Sequence, residues 1–272
     1  MKANFLKIVL PAAVAVGFCF METELQASFI QISQTNYVQN FNTLNSSGKS
    51  KSLPAGWSIA SQDNQVYADD GNMSMANIYS YGVAGSSDRA LGALTSGGND
   101  PIFGASFQNA GPGRINRLNI SYTGEEWRLG QAGVANTLNF SYSLNASGVK
   151  DQNATWINVP GLSFTTPNVT GVGAHNGTLA ANQTQIASSI GFLSIPQGGT
   201  FWIRWQEPPA GSPGDGLAVD NFTLTAVPEA STFAAAIGAV GFLGVTAWRR
   251  HSFVFLERGG RRLANLPAPG LA

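Results

Sequence analysis

Apolar side chains recur at every second position along most of this 272-residue chain. The segments LNFSYSL (138–144) and FWIRW (201–205) show the pattern clearly. Because successive side chains of a strand point to opposite faces, this period predicts strands that bury one face. Clusters of Gly, Pro, Asn and Asp separate the segments, as in GGNDP at 97–101, and predict turns between them. A helical bundle is disfavoured, since Gly and Asn destabilise helix interiors.

We therefore expect residues 28–226 to form a single all-β domain. About ten to twelve short strands with frequent turns predict a two-sheet β-sandwich of jelly-roll type. The apolar residues of segment 216–224 change parity at Asp220 and Asn221. One extra residue there would return both halves of the segment to the core, which predicts a β-bulge.

The first 27 residues have the three-part layout of a secretory signal peptide. Lys2 and Lys7 precede an apolar stretch at 8–21, and Leu25, Gln26 and Ala27 precede the expected cleavage between Ala27 and Ser28. The only cysteine of the chain lies in this stretch, so the exported domain has to fold without a disulfide. We expect the protein to be exported.

A second apolar run, of 17 uncharged residues, lies at 232–248. As a helix it would be about 25 Å long, which predicts a transmembrane helix, and Arg249 and Arg250 would follow it on the cytoplasmic side. A buried core helix is the alternative, but the run carries no polar stripe. The basic tail at 251–272 is interpreted either as a cytoplasmic segment or as a read-through of the true stop.

Val227, Pro228 and Glu229, followed by this span and the arginine pair, resemble the PEP-CTERM sorting signal of exopolysaccharide-producing Gram-negative bacteria. The resemblance covers 227–250 and departs from the usual motif at Ala230, which replaces its second proline. It implies processing by an exosortase, a membrane enzyme. It also implies an inner-membrane-anchored precursor that ends in the cell envelope or outside the cell.

The body carries a second resemblance. Its segments SSDRALGAL (86–94), ISYTGEEWRLG (120–130), LNFSYSL (138–144) and GLAVDNFTL (216–224) are similar to exported β-sandwich domains of surface proteins. Those domains are similar in turn to the jelly rolls of lectins and carbohydrate-binding modules. The resemblance implies a fold and leaves the activity open.

The charge of the body argues against a nucleic-acid partner. Between residues 28 and 227 there are eight basic and eleven acidic residues, so the exported part is mildly acidic. A protein that follows a phosphate backbone needs a stripe of Lys and Arg, which this segment lacks.

Trp202 is the candidate carbohydrate-binding residue. Its parity is opposite to that of Phe201, Ile203 and Trp205, so it should point away from the core that those three define. An aromatic face can pack against the apolar face of a sugar ring. The alternative role for Trp202 is to fill a second apolar layer.

The cluster Glu125, Glu126, Trp127 and Arg128 raises the question of catalysis. A glycosidase needs two carboxylates that flank one bond, but adjacent strand residues point apart. A partner would have to come from elsewhere in the body: Asp88, Glu207 or Asp215. The other interpretation is structural, with Arg128 paired to a carboxylate and Trp127 packed over the core.

Two further predictions concern metal and histidine chemistry. Asp215, Asp220 and Asn221 offer oxygen ligands on a turn and on the predicted bulge, which makes them candidates for a structural calcium ion. The alternative is that these three residues are solvated turn residues.

His175, the only histidine of the exported body, lies in a Gly-rich segment and is expected to be an exposed turn residue.

The leading hypothesis is therefore a non-catalytic, exported β-sandwich protein of the cell surface or extracellular matrix, associated with exopolysaccharide. The alternatives are a secreted glycoside hydrolase that uses Glu125 or Glu126, and a purely structural surface protein.

Overall fold

The computed structural model of the chain describes residues 29–33, 36–209 and 214–229. Within this part, no helix combines the length and the apolar character needed to cross a bilayer. Several predicted features lie outside the described residues: the signal peptide with Ala27 and Ser28, the span at 232–248, Arg249, Arg250 and the tail at 251–272.

The described residues form sixteen strands and two 3₁₀ turns, at Pro160–Leu162 and Ala180–Asn182. The strands are β1 (Ile30–Ile32), β2 (Asn36–Gln39), β3 (Lys49–Ser50), β4 (Trp57–Ala60), β5 (Val66–Asp69), β6 (Asn77–Tyr81), β7 (Ala90–Leu94), β8 (Ile102–Asn109), β9 (Ile115–Leu129), β10 (Thr137–Ser143), β11 (Ile157–Asn158), β12 (Phe164–Thr165), β13 (Gly173–Ala174), β14 (Gln183–Ile190), β15 (Thr200–Gln206) and β16 (Gly216–Pro228). The all-β class predicted from the period-two pattern is confirmed.

These strands make two sheets. In sheet 1, β8, β15 and β10 are neighbours in that order, with β1 and β4 on the far side of β8, and β11 and β12 on the far side of β10. In sheet 2, the order runs β9, β16, β7, β6, β5, β3, with β13 and β14 on the far side of β9 and β2 on β16. All pairings are antiparallel except those of β1 with β8 and β5 with β6.

From β7 onward the long strands alternate between the sheets. β7, β9, β14 and β16 belong to sheet 2, whereas β8, β10 and β15 belong to sheet 1. The resulting neighbours, β7–β16–β9–β14 and β8–β15–β10–β11, are the strand order of a jelly roll, in which two Greek keys are wound into a sandwich.

The core between the sheets is centred on Trp205, which is completely buried. Its indole stacks on Trp57 at 6.0 Å and on Phe103 at 5.5 Å, both from sheet 1. Tyr122 and Phe222 of sheet 2 meet it edge-on, at 5.5 and 5.6 Å between ring centroids. Stacked and edge-to-face pairs at these distances are the favourable aromatic geometries, so one side chain joins both sheets.

The predicted bulge is present in β16. Asp220 pairs with Thr123 of β9, but Thr223 pairs with Ser121, so three steps along β16 match two along β9. Asn221 takes the extra position with a left-handed φ of 49° and is exposed. Asn tolerates this conformation better than most residues, which explains its place at the parity change.

Trp205→Ala should lower the free energy of unfolding by about 3–5 kcal/mol, because it leaves a cavity where both sheets meet. Urea denaturation of the purified protein followed by circular dichroism measures the change. Trp156→Ala, which removes a partly buried indole outside the inter-sheet core, is the matched control and should cost clearly less. Equal losses in the two variants would show that Trp205 is not central to the core.

Candidate ligand-binding cleft

The outward side of β15 carries a second apolar layer. Phe201, Ile203 and Trp205 face the core, whereas Trp202 lies in a separate cluster with Ile102 and Val149. The predicted direction of Trp202 is therefore confirmed. Its side chain is only 3% exposed, however, so it fills a second layer, which is the alternative role considered above.

The segment 144–156, between β10 and β11, covers Trp202. Short polar contacts fix this segment. Asp151 accepts hydrogen bonds from the backbone N–H groups of Ser147 and Asn153, both at 2.9 Å. Asn145 accepts one from the backbone N–H of Thr155 at 3.0 Å. These hydrogen bonds hold the loop in one shape without regular secondary structure.

Trp156, at the end of this loop, packs against Arg204 of β15. The guanidinium carbon of Arg204 lies 3.8 Å from the centroid of the indole, a close cation–π contact. Arg204 also donates to the Ser141 hydroxyl and to the Val149 carbonyl oxygen, both at 3.2 Å. The Trp156 N–H donates to the Asp151 carbonyl oxygen at 2.8 Å. Both planar groups are therefore fixed in place before any ligand binds.

Glycine at position 104 allows β8 to approach β15 beneath this pair. A Cβ atom there would lie 2.1 Å from the Ile203 carbonyl oxygen and 2.9 Å from Cα of Arg204. No larger residue fits at this distance, so Gly104 is a structural requirement for the position of Arg204.

A cleft of about 460 Å³ opens beside Trp156 and Arg204. Its walls come from the β7–β8 loop and from the loop that covers Trp202. Its lining residues are Gly98, Asn99, Asp100, Ile102, Lys150, Asp151, Gln152, Trp156, Arg204 and Gln206. Two cations and two carboxylates are among them, so the cleft is polar and close to neutral.

Asp100 stands out among the lining residues. Its Oδ1 atom is buried and has no hydrogen-bond partner among the described residues. A buried carboxylate oxygen without a donor is costly unless water or a ligand supplies one. The cleft thus combines a planar platform with polar side chains, among them an Asp100 carboxylate that the described residues do not fully hydrogen-bond.

The candidate calcium ligands do not form one site. Asp215 and Asp220 are five residues apart along extended chain, about 17 Å, so they cannot share an ion. Asn221 donates to Asp220 at 2.7 Å. Among the residues that the structure describes, no group of three or more His, Cys, Asp or Glu side chains could hold a metal ion.

Asp215 instead belongs to a network of buried carboxylates at the cleft end of the sandwich. It accepts hydrogen bonds from the backbone N–H of Gly130 at 2.7 Å and from that of Asn136 at 3.1 Å. The Asn136 amide donates to Glu207, which also accepts from the backbone N–H of Thr95. Two carboxylates thereby bind three backbone N–H groups of the β7–β8 and β9–β10 loops that no strand pairing satisfies.

Glu125 and Glu126 point apart, as predicted for adjacent strand residues. Glu125 accepts a hydrogen bond from the Trp127 indole at 2.9 Å on the outer face of sheet 2. Glu126 accepts one from the backbone N–H of Asn168. Arg128 donates to the carbonyl oxygens of Gly71 and Asn72, so its predicted pairing with a carboxylate is wrong.

Asp220 is a neighbour of Glu125 that the sequence analysis missed. It pairs with Thr123, so it lies diagonally across from Glu125 on the same face, about 7 Å away between backbones. Burial raises the pKa of Glu125 to about 8 and that of Asp220 to about 7. The two residues are 5% and 2% exposed, so a sugar cannot reach between them.

The expectation for His175 is wrong. Its side chain is 9% exposed, and Nδ1 lies 2.7 Å from Oε1 of Glu126. Nε2 lies 2.6 Å from the Gly171 carbonyl oxygen. The Gly-rich segment therefore folds back onto β9 through this histidine, because Glu126 offers a buried acceptor beside it.

Sequence reasoning also missed Trp156 and Arg204 as partners. Trp156 lies in a segment without strand period, and nothing in its neighbourhood indicates which strand it covers. The one usable signal was the outward parity that Arg204 shares with Trp202, since both alternate with the core residues of β15.

The sequence matches no protein-family model and no curated protein. Among solved structures, the chain is similar to the CBM22-1 xylan-binding domain of Paenibacillus barcinonensis Xyn10C, with 11% identity and a TM-score of 0.36, covering 75% of this chain and all of that one. It is also similar to the K2 cleaved adhesin domain of Lys-gingipain, with 14% identity and a TM-score of 0.38, covering 70% and 97%. A third is TmCBM61 in complex with β-1,4-galactotriose, with 10% identity and a TM-score of 0.33, covering 63% and 88%. Similarity at this level does not indicate what this chain binds.

Glu125→Gln should weaken the pH dependence of stability between about pH 4.5 and pH 8. Burial raises the pKa of Glu125 from its ordinary 4.5 to about 8, so the folded state retains a proton that the unfolded chain releases. That contribution is complete below pH 4.5 and is lost as the pH rises through 8. Urea denaturation at pH 5, 6, 7 and 8 measures it.

Glu229→Gln, a substitution at an exposed carboxylate, is the control for this series and should keep the wild-type slope. Glutamine at 125 preserves the acceptor for the Trp127 indole, so the two variants differ mainly in the buried proton. An unchanged slope in Glu125→Gln would show that this carboxyl ionises normally in the folded protein.

Proposed function

We propose that the β-sandwich is a non-catalytic polysaccharide-binding domain of an exported surface protein, and that the cleft beside Trp156 and Arg204 binds a neutral stretch of glycan. The observation that carries the proposal is the cleft itself, in which a fixed indole–guanidinium pair adjoins polar side chains. Sugar rings present apolar C–H faces and hydroxyl edges, and both kinds of surface have a counterpart here.

The side chains that line the cleft would make different contacts with a glycan. Trp156 and Arg204 offer planar surfaces at the side of the cleft. Asp100 can accept a hydrogen bond from a hydroxyl group, while Lys150 can donate and Gln206 can do both. Because the positive and negative charges of the lining balance, an uncharged glycan matches the cleft better than a strongly acidic one.

In this proposal, the two terminal segments determine the cellular location of the protein. The signal peptide with cleavage at Ala27 and Ser28 would export the domain, and the span at 232–248 would hold it in the membrane until an exosortase acts at Pro228 and Glu229. In the structure, β16 runs to Pro228, and the chain leaves the sandwich directly at this motif. The position is consistent with a sorting signal attached closely to a folded domain.

The cleft and this exit lie at opposite ends of the sandwich. β16 starts at Gly216, beside the end of β7 that leads into the cleft wall, and finishes opposite Ile115. Its 13 residues span about 40 Å. An anchored domain would therefore present the cleft away from the membrane, toward the extracellular polysaccharide.

Trp156→Ala should weaken binding to exopolysaccharide at least about 10-fold, because removal of a packed indole costs more than about 1.4 kcal/mol of contact. Asp100→Ala, which leaves the platform in place, should weaken it less. Affinity electrophoresis through gels that contain purified exopolysaccharide, or neutral plant glucans and xylans, measures retention. Thermal melting shows whether each variant is folded.

Phe192→Ala is the matched control, since it removes an exposed aromatic ring at the opposite end of the sandwich. It should migrate like the wild type. Free migration of the wild-type protein in every neutral glycan gel would overturn the proposal, as would full retention of Trp156→Ala. Release of reducing sugar from the same glycans would instead support the glycoside hydrolase alternative.

A further inference from the structure

Phe192 is the most exposed large apolar side chain in the part of the chain that the structure describes. It is fully exposed, whereas the next such residue, Val38, is 62% exposed. Its backbone has a left-handed φ of 57°, a conformation that costs a bulky residue of the order of 1 kcal/mol. The chain thus holds an aromatic ring in solvent at an energetic cost.

The loop around Phe192 is firmly held. Ile190 and Leu193 on either side are buried in the core between the sheets. The Leu193 N–H donates to the Asn116 carbonyl oxygen at 3.0 Å, and Ile195 forms a bridge with Ile115. The fixed conformation of this loop therefore places Phe192 in solvent, and its exposure does not result from a loosely held segment.

This loop lies where the chain leaves the sandwich. Arg114 donates to the Ser194 hydroxyl at 3.1 Å, and its carbonyl oxygen accepts a hydrogen bond from the Glu229 N–H at 2.7 Å. The predicted span begins at residue 232, and three residues of extended chain reach about 10 Å. A bilayer that held this span would lie within about 10 Å of Glu229.

The charge at this end of the sandwich also favours a bilayer as its partner. Arg114, just before β9, and Arg117, among its first residues, are both exposed, and together they outweigh the one exposed carboxylate beside them, Glu229. Arginine is attracted to anionic lipid headgroups, and an aromatic ring beside it suits the boundary between headgroups and acyl chains. The face formed by Arg114, Arg117 and Phe192 is called the exit face below.

We propose that the exit face docks onto the lipid headgroup surface of the membrane that anchors the chain, with Phe192 inserted at the interface. The inference rests on the membrane span that belongs to the proposed function. It adds a defined orientation: the sandwich stands on its exit face and does not swing freely on its tether. The occupant of the exit face is the anionic bilayer itself.

Site-directed spin labelling of the full chain tests this docking. Cys19→Ser removes the only native cysteine, and Gly191→Cys then places a nitroxide beside Phe192. A side chain at Gly191 meets no atom within 4 Å, so the label should not disturb the fold. Gly148→Cys is the matched control, because it is equally open but lies on the loop that covers Trp202.

The labelled protein is reconstituted into vesicles of phosphatidylethanolamine and phosphatidylglycerol, and flotation shows whether it is embedded. Power saturation then compares collisions of the label with oxygen, which partitions into lipid, and with a water-soluble nickel complex. We expect the label at 191 to be at least several-fold more protected from nickel than the label at 148. Arg114→Glu combined with Phe192→Ser should abolish that difference.

Each outcome bears on one proposal or on both. Protein that floats with the vesicles while both labels stay equally accessible to nickel overturns docking and leaves the anchor intact. Protein that does not float overturns the anchor and docking together, although glycan binding remains a separate measurement. Spin–spin broadening at 191 without protection from nickel would identify a second copy of the chain as the occupant and would also overturn docking to lipid.

Discussion

The contact between the two sheets through Trp205 determines how everything outside the core is arranged. Its indole stacks on rings of sheet 1 and meets ring edges of sheet 2, so β15 cannot shift by one residue without losing both sets of contacts. Fixing the inward side of β15 also fixes its outward side. Trp202, Arg204 and Gln206 are thereby aimed at one face of the molecule, where the loop at 144–156 completes the cleft.

A second constraint comes from the buried carboxylates at the cleft end. Asp215 and Glu207 accept hydrogen bonds from loop N–H groups that would otherwise be buried without partners. Burial raises the pKa of Glu207 to about 7, which shows how unfavourable its environment is for the charge. Such networks cost desolvation energy but allow few alternative geometries. The hydrogen bond from the Thr95 N–H to Glu207 therefore fixes the start of the β7–β8 loop, which forms one wall of the cleft.

Local parity predicted whatever depends on a single strand. It gave the strands themselves, the bulge at Asp220 and Asn221, and the outward direction of Trp202, because each follows from alternation along one segment. It could not predict what covers an outward face. The contact of Trp156 with Arg204 and that of His175 with Glu126 join residues far apart in sequence, and the segments that supply Trp156 and His175 have no period. The burial of Trp202 and the environment of Asp215 result from such contacts between distant segments, so the sequence could not predict them either.

The two ends of the sandwich are built differently, and the difference follows from β16. This strand begins beside the buried carboxylates Asp215 and Glu207 and finishes beside the exposed Arg114, so a single run of chain separates buried acidic groups from exposed basic ones. Carboxylates that bind loop N–H groups have to be buried, whereas arginines that contact a headgroup layer, as proposed for the exit face, would have to remain accessible. A sandwich with loops at both ends can meet both demands, because each β16 terminus is some 40 Å from the other and the two sets of charges do not interact across that distance. In the proposed arrangement, the inter-sheet core would act as a rigid spacer between the cleft and the end that docks onto the membrane.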